Sequence, residues 1–203
     1  MRLFDGGKAP NPRRVRIYLA EKGISVPLVP VDMGALEHRN AEVSARNPLM
    51  RLPVLELDDG TCLSETIAIC RYFEALHPDP PLFGVGALGQ AMVEMWQRRV
   101  EWHFLWPVAQ AFRHIHPAMK GWEVPQIAEW GEANKPKALE FIAWMDRELA
   151  NREFIAGDAY TVADITALVA SDFMKPARIT VPEEATHFRR WHAAVKARPS
   201  AEA

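Results

Sequence analysis

The stretch NPLMRLPVLELDDGTCLSETIAICRYFE, residues 47–74, holds a β-strand, a hairpin turn, a second strand and an amphipathic helix in that order. The Asp-Asp-Gly between the two β-type runs is typical of a hairpin turn. Pro53 stands immediately before the first strand. We predict a cis peptide bond at Leu52–Pro53, because that geometry turns the Leu52 N–H and C=O outward, where they can clasp an extended peptide.

The helix after this hairpin is predicted to start with Ser64 as its N-cap and with Glu65 and Thr66 in its first turn. Its backbone N–H groups suit a carboxylate, and the Glu65 side chain suits an ammonium. Together these groups match the zwitterionic end of an amino acid. An ordinary capped helix start explains Ser64 and Glu65 as well, so the residues alone leave both interpretations open.

A second loop and helix are predicted from APNPRRVRIYLAEKGI, residues 9–24. Val15, Tyr18 and Leu19 recur at helical spacing, and Gly23 is placed to end the helix. Exposed backbone N–H groups and the positive end of the dipole at such a helix start favour an anion by about 0.3–1 kcal/mol. A thiolate would suit this position, although a tight turn without a ligand explains the same residues.

The chain changes character at the Pro- and Gly-rich stretch HPDPPLFGVGALG, residues 77–89. Short β-type runs alternate with helical segments before it, and long helical patterns follow it. We therefore predict an α/β domain over residues 1–78, a linker over 79–87 and an all-α domain over 88–203. A content of 49% hydrophobic residues in 203 is enough for two small cores.

Composition argues against several classes of partner. The formal net charge is -2 and no long basic run occurs, so the electrostatic attraction that drives nucleic-acid binding has no source. The sequence contains no signal-peptide h-region and no apolar stretch close to the about 20 residues that span a membrane. These features predict a cytoplasmic protein with no membrane partner.

Cys62 and Cys70 fit neither a redox pair nor a zinc pattern and are predicted to be reduced thiols. His114 and His116 lie on different sides of a helix, so no metal site is predicted.

The order of these motifs, with the pattern N-P-x-x-x-x-P-V-L, resembles the cytosolic glutathione S-transferases over nearly the whole chain. The resemblance implies a thioredoxin-like N-terminal domain that binds glutathione, a helical domain that supplies the second-substrate pocket, and a homodimer. It makes Pro53 the family's cis-proline, Leu52 the backbone clasp, and Glu65 and Thr66 the γ-glutamyl site. It also implies that His38 contacts the glycine carboxylate of glutathione, with a surface histidine on a solvated helix as the alternative.

The position of the usual catalytic side chain differs from the family pattern, because family loops commonly carry Ser, Thr, Tyr or Cys where this chain has Ala9. A free thiol with a pKa of about 8.5 is only slightly ionised at neutral pH, so a transferase must supply donors that stabilise the thiolate. Ala9 has none. Asn11 carries an NH₂ group in the same loop, and one bacterial subgroup is similar in having Thr-Pro-Asn here. Asn11 is our candidate for the donor, with an ordinary turn asparagine as the alternative.

An aromatic stretch in the second half is the candidate wall of the second-substrate pocket. Trp102, Trp106 and Phe112 recur near one helical face, with His103 and His116 as candidate polar contacts. Aromatic stripes at this spacing also occur in cores. The resemblance, which implies helices that overlook glutathione, favours the pocket.

The stretch FIAGDAYTVADITAL, residues 154–168, predicts a capped helix start. Thr161 is its candidate N-cap, Asp164 follows at the capping-box spacing, and Tyr160 and Ile165 can close a hydrophobic staple. It is similar to the N-capping box in the family's second domain, whose role is in folding.

Together these features predict a cytoplasmic detoxification enzyme, a homodimeric transferase that joins its co-substrate glutathione, as a thiolate, to small hydrophobic electrophiles. Two alternatives stay open. The protein could reduce disulfides with two bound glutathione molecules, or it could bind glutathione or a hydrophobic ligand without turnover.

Overall fold

A four-stranded sheet and three helices form the first part of the chain in the computed structural model, which describes residues 1–203. The elements are β1 (Arg2–Asp5), α1 (Pro10–Glu21), β2 (Leu28–Pro30), α2 (Ala41–Arg46), β3 (Val54–Glu56), β4 (Cys62–Ser64) and α3 (Thr66–Leu76). This architecture confirms the predicted thioredoxin-like α/β fold of the N-terminal part.

The order of strands in the sheet is β2-β1-β3-β4, with β2 parallel to β1 and the other two pairs antiparallel. Val54 pairs with Phe4 on one side and with Ser64 on the other. The carboxyl end of β1, the start of β3 and the end of β4 therefore lie at one edge of the sheet. The segments that follow β1, precede β3 and follow β4 meet at that edge.

Side chains alternate between the two faces along each strand, and residues on both faces are buried. On one face Leu3 and Leu55 have no exposed surface. The opposite face carries the cluster Phe4, Val31, Val43, Leu52 and Val54. Through that cluster the sheet holds α2 and the segment before β3 in place.

The second part of the chain is entirely helical, which confirms the predicted all-α architecture. Its helices are α4 (Gly86–Val100), α5 (Trp106–Ile115), α6 (Ala128–Leu149), α7 (Val162–Phe173) and α8 (Thr186–Lys196). A π-helical turn, Glu101–Leu105, joins α4 to α5 directly in front of Pro107. Proline has no N–H for the regular helix ladder, which accounts for a change of hydrogen-bond pattern at this point.

The chain divides into two compact units. The first consists of Met1–Pro81 together with Pro199–Ala203, and the second of Leu82–Arg198. None of the helices is both long and apolar enough to cross a membrane. Cys62 and Cys70 are free cysteines, and Cys70 is buried.

Candidate active site

Helix α1 begins directly after Ala9, which is extended (φ -65, ψ 141) and caps no N–H with its side chain. Pro10 and Pro12 have no N–H, and the N–H of Arg13 donates to the Ala9 carbonyl at 3.3 Å. Asn11 therefore supplies the free backbone N–H of this turn, together with an exposed side-chain amide. The expectation of several backbone donors here was wrong, because two of the positions are prolines.

The loop before α1 is fixed by the Asp5 carboxylate, which the sequence analysis did not single out. Asp5 is buried at the end of β1, accepts the N–H of Gly7 at 3.0 Å and forms an ion pair with Arg16 of α1. A buried carboxylate between a loop N–H and a helix guanidinium holds strand, loop and helix together. The position of Asn11 depends on this connection.

Gly6 allows the same loop to lie directly against Leu52. A Cβ atom added to Gly6 would stand 3.1 Å from Cγ of Met33 and 3.2 Å from Cδ1 of Leu52. Both distances are shorter than ordinary contacts, so a larger residue would push the loop and Leu52 apart. The absence of a side chain at Gly6 thus brings the loop that carries Asn11 next to the segment before β3.

The Leu52–Pro53 peptide bond is cis, which confirms the prediction. The side chain of Leu52 is buried, whereas its N–H and C=O form no backbone hydrogen bond. Buried Asn47 shapes the preceding loop, since its amide donates to the Arg51 carbonyl at 2.9 Å and accepts the N–H of Leu49 at 3.1 Å. The main chain of Leu52 is therefore presented in a fixed position at the sheet edge.

Helix α3 begins at Thr66, one residue later than expected. Ser64 is the last residue of β4 and Glu65 is the N-cap, so the assignment of Ser64 as N-cap was wrong. Glu65 adopts φ 69 and ψ 119, which is strained for a residue with a side chain. Its carboxylate is exposed and caps no N–H. Ser64 pairs with Val54, so Glu65 follows at the edge where Pro53 precedes β3.

The start of α3 keeps its backbone donors, unlike the start of α1. The first N–H in the helix ladder is that of Ile69, which donates to the Glu65 carbonyl at 3.0 Å. The N–H groups of Thr66, Ile67 and Ala68 precede it and face the helix start. This turn therefore offers donors for a carboxylate beside the exposed Glu65 carboxylate.

His38 lies in a short 3₁₀ segment, Glu37–Arg39, and is fully buried. Burial lowers the pKa of its imidazole, and the nearby Arg39 and Arg51 guanidinium groups lower it further. The ring is therefore neutral at neutral pH and exposes no atom to a ligand. The structure does not bring His38 to the surface beside the other predicted glutathione-binding residues.

The aromatic residues predicted for the second-substrate pocket fall into two groups. Trp102, His103 and Trp106 line an open groove of about 570 Å³. We call it the tryptophan groove, and its lining consists of Arg99, Trp102, His103, Trp106 and Pro107 on one side and Trp130, Asn134, Lys137, Glu140, Phe141 and Trp144 of α6 on the other. The rings of Trp102 and Trp106 are 5.9 Å apart and about half exposed.

Phe112 and His116 belong to the second group, outside the tryptophan groove. Their rings stack at 4.6 Å, and the ring of Phe112 lies 4.9 Å from that of Phe173 in α7. All three side chains are partly exposed. This ring cluster presents an aromatic surface at the ends of α5 and α7.

The capping box at the start of α7 confirms the prediction for Thr161 and Asp164. The Asp164 carboxylate is fully buried and accepts the Thr161 N–H at 2.9 Å and the Thr161 hydroxyl at 3.1 Å. It also accepts the N–H of Ile155 at 3.0 Å and the indole N–H of Trp191 at 2.8 Å. The sequence did not indicate these last two donors, because Trp191 lies in another helix.

The comparison with known proteins agrees with this geometry. The glutathione S-transferase N-terminal domain matches residues 9–76, and the glutathione S-transferase C-terminal domain matches residues 109–199. Glutathione S-transferase 2 of Saccharomyces cerevisiae is 38% identical over 204 residues, which cover 98% of this chain and 87% of that protein. The chain belongs to the glutathione S-transferase family.

Solved structures of glutathione S-transferases share the fold. The crystal structure of Gtt2 from Saccharomyces cerevisiae is similar at a TM-score of 0.94 and 37% identity, with 100% of this chain and 99% of that chain covered. A glutathione S-transferase domain-containing protein from Marinobacter aquaeolei VT8 is similar at a TM-score of 0.92 and 39% identity, with 98% and 99% covered. The resemblance stated from the sequence is thereby confirmed.

Proposed function

We propose that this glutathione transferase holds glutathione across the sheet edge formed by the ends of β1 and β4 and the start of β3, and activates its thiol at the start of α1. Family membership makes the protein a glutathione transferase, with glutathione as its substrate. The observation that carries the proposed site is the convergence of Gly6, Leu52 and Glu65 at one edge.

The peptide backbone and the γ-glutamyl end of glutathione each find matching groups at this edge. The unpaired N–H and C=O of Leu52 fit the backbone of an extended peptide, as in strand addition. The Glu65 carboxylate fits the ammonium of the γ-glutamyl residue, and the N–H groups in the first turn of α3, including that of Ile67, fit its carboxylate. The strained backbone of Glu65 is consistent with a role in binding.

Asn11 is the proposed donor to the thiolate. Its N–H and its side-chain amide are free donors in the first turn of α1, and Ala9, two residues before it, has only a methyl group as its side chain. Donors that hold the anion stabilise it at neutral pH and raise the fraction of reactive thiolate. The thiolate then forms a carbon–sulfur bond with the electrophile, whose leaving group departs with the electron pair, and the thiol proton goes to solvent.

Adding glutathione to the protein at neutral pH should produce the ultraviolet absorbance of a thiolate, and an aryl halide should be conjugated to glutathione. Calorimetry should detect one glutathione site per chain. Binding without a thiolate band would support the binding protein instead of the enzyme. Faster turnover with a model disulfide than with aryl halides would support the disulfide reductase, and no heat of binding would overturn the proposed site.

The ring cluster of Phe112, His116 and Phe173 is the proposed contact for a small hydrophobic electrophile. Stacked, partly exposed rings offer an apolar surface, and the His116 imidazole adds a polar group. Conjugation of such compounds is a detoxification reaction. We place it in the cytoplasm, whose reducing conditions fit the free thiols of Cys62 and Cys70.

The tryptophan groove fits a second copy of this chain better than a small substrate. Trp102 is 58% exposed, Trp106 49% and Trp130 42%, which is unusual for such large apolar side chains. Tryptophan and arginine are enriched at protein interfaces. The groove carries Arg99 and Lys137 together with Glu140, so in a two-fold contact each copy supplies the charge that the other needs.

Replacing Trp106 by glutamate should convert a dimer into a monomer in analytical ultracentrifugation, because the contact would lose the indole ring and would have to bury an additional charge. The matched control is Leu76→Glu, since Leu76 is 51% exposed at the end of α3 and lies outside the groove. The control should remain dimeric. A wild-type protein that sediments as a monomer, or a Trp106→Glu protein that stays dimeric, would contradict this assignment.

A further inference from the structure

The segment Pro199–Glu202 returns to the first unit after the second unit is complete. It forms a short 3₁₀ helix after α8 and is grouped with the first unit, whereas α8 belongs to the second. Ser200 is 7% exposed and Ala201 3%. These residues are therefore packed into the first unit, and we call them the return segment.

The return segment forms hydrogen bonds near both ends of helix α1. The guanidinium of Arg13, in the first turn, donates to the Ala201 carbonyl at 2.9 Å. The hydroxyl of Ser200 donates to the carboxylate of Glu21, the last residue of α1. Twelve helical residues span about 18 Å. A segment bound near both ends of that length limits both sliding and tilting of the helix.

These hydrogen bonds restrain the helical turn that carries Asn11. Arg13 follows Asn11 by two residues and shares its helical turn. On the sheet side, Asp5 holds the preceding loop through Gly7 and holds α1 through Arg16. The first turn of α1 is therefore fixed from two directions, by the strand end through Asp5 and by the return segment through Arg13.

We propose that the return segment is a positioning element for the thiolate, which keeps the Asn11 donors in place through its hydrogen bond with Arg13. This inference rests on the proposed role of Asn11. A donor stabilises an anion only when the donor already points at the anion. A displacement of the donor by about 1 Å can lower the rate about a hundredfold. Release of Arg13 loosens that turn without removing any group from the glutathione site.

The test compares Arg13→Met with a chain that ends at Arg198. Methionine keeps most of the apolar stem of arginine and removes the donor. Each variant should raise the pKa of the glutathione thiol on the protein and lower kcat about tenfold, with the KM for glutathione changed less than twofold. The matched control is Arg147→Met, since Arg147 likewise donates to one backbone carbonyl, at 3.0 Å in α6, and is exposed.

The double variant separates positioning from direct contact. If Arg13 acts through the return segment, Arg13→Met in the shortened chain should cause no further loss of kcat. Ser200→Ala provides a second point variant should the shortened chain fail to fold, and it should move the thiol pKa in the same direction by a smaller amount. A lower melting temperature with an unchanged thiol pKa in Arg13→Met and Ser200→Ala would overturn the inference.

The outcome for the wild-type protein keeps the two proposals apart. A wild-type protein that shows no thiolate band with glutathione contradicts the proposed function. If the wild-type protein shows the band and the variants keep the same band and the same kcat, only the proposed role of the return segment is contradicted.

Discussion

Replacement of Asp164 by alanine is expected to lower the free energy of unfolding by about 3–5 kcal/mol, because it leaves four buried donors without an acceptor. The donors come from Ile155, Thr161 and Trp191, so the loss loosens the loop before α7 and the contact with α8. Chemical denaturation followed by circular dichroism measures the effect. The Thr161→Ala variant should lose only about 0.5–2 kcal/mol. Asp164 still accepts the N–H groups of residue 161, Ile155 and Trp191 in that variant.

The pH dependence of this loss follows from the buried position of Asp164. Burial raises the pKa of its carboxyl to about 6, from an ordinary value of 3.8. A raised folded-state pKa gives stability that is fully present below about pH 4 and is lost as the pH rises to about 6. The stability of the wild-type protein relative to Asp164→Asn should therefore fall by about 2–3 kcal/mol between these pH values.

Asp158→Asn is the matched control for this experiment, because Asp158 lies in the loop before α7 and is exposed. Its stability should follow that of the wild-type protein at each pH. An Asp164→Ala protein that loses less than about 1 kcal/mol would show that water or rearrangement satisfies the four donors. A wild-type advantage over Asp164→Asn that is constant from pH 4 to 7 would contradict the raised pKa.

Replacement of Asn11 by alanine is expected to lower kcat about tenfold to a hundredfold while the affinity for glutathione changes little. Loss of one donor aimed at an anion in an active site lowers kcat by about a hundredfold or more, and the backbone N–H of residue 11 remains as a second donor in this variant. The binding groups at Leu52, Glu65 and Thr66 are untouched by the change. Steady-state kinetics with an aryl halide, together with calorimetric titration of glutathione, separates the two quantities.

Asn11→Asp gives a sharper version of the same test. Aspartate has the shape of asparagine but loses the NH₂ donor and places a negative charge beside the thiolate. The thiol pKa of bound glutathione should rise and turnover should fall below that of Asn11→Ala. An acidic residue in the first turn of a helix favours the helix, so the stability of the fold should not fall. Turnover should therefore fall without a loss of stability.

Asn151→Ala is the control for loss of an exposed asparagine, since Asn151 lies outside the proposed site. It should keep wild-type kcat and KM. If Asn11→Ala and Asn11→Asp both retain wild-type turnover, the Asn11 side chain has no part in stabilising the thiolate. The thiolate would then depend on groups other than the side chain at this position.

Local patterns in the sequence were sufficient for most of the fold. Alternation of apolar residues predicted β1 and β3, helical spacing predicted α1 and α7, and the Asp-Asp-Gly turn predicted the hairpin between β3 and β4. The cis bond at Pro53 and the capping box at Thr161 were also predictable, because each depends on a few adjacent residues. The order of these motifs identified the family.

Other features depended on residues that are far apart in the chain. The sequence could not show that Gly6 lies against Leu52, that Asp164 accepts from Trp191, or that His38 is buried. Trp106 and Phe112 both lie in α5 and are six residues apart, which places them about 240° apart around a regular helix and leaves Phe112 outside the tryptophan groove. The recurrence of aromatic residues in this stretch therefore did not place their side chains on one face.

The sequence by itself determined which elements form, which family they belong to, and that the Ala9 side chain cannot donate to a thiolate. Only the tertiary structure decided which groups lie beside one another. It brings Gly6, Pro53 and Glu65 to one edge of the sheet, and it places the return segment where it forms a hydrogen bond with Arg13 of α1. The physical reason is that propensity, capping and turn chemistry act between near neighbours in the chain, whereas burial and hydrogen bonding at a site join residues that folding alone brings together.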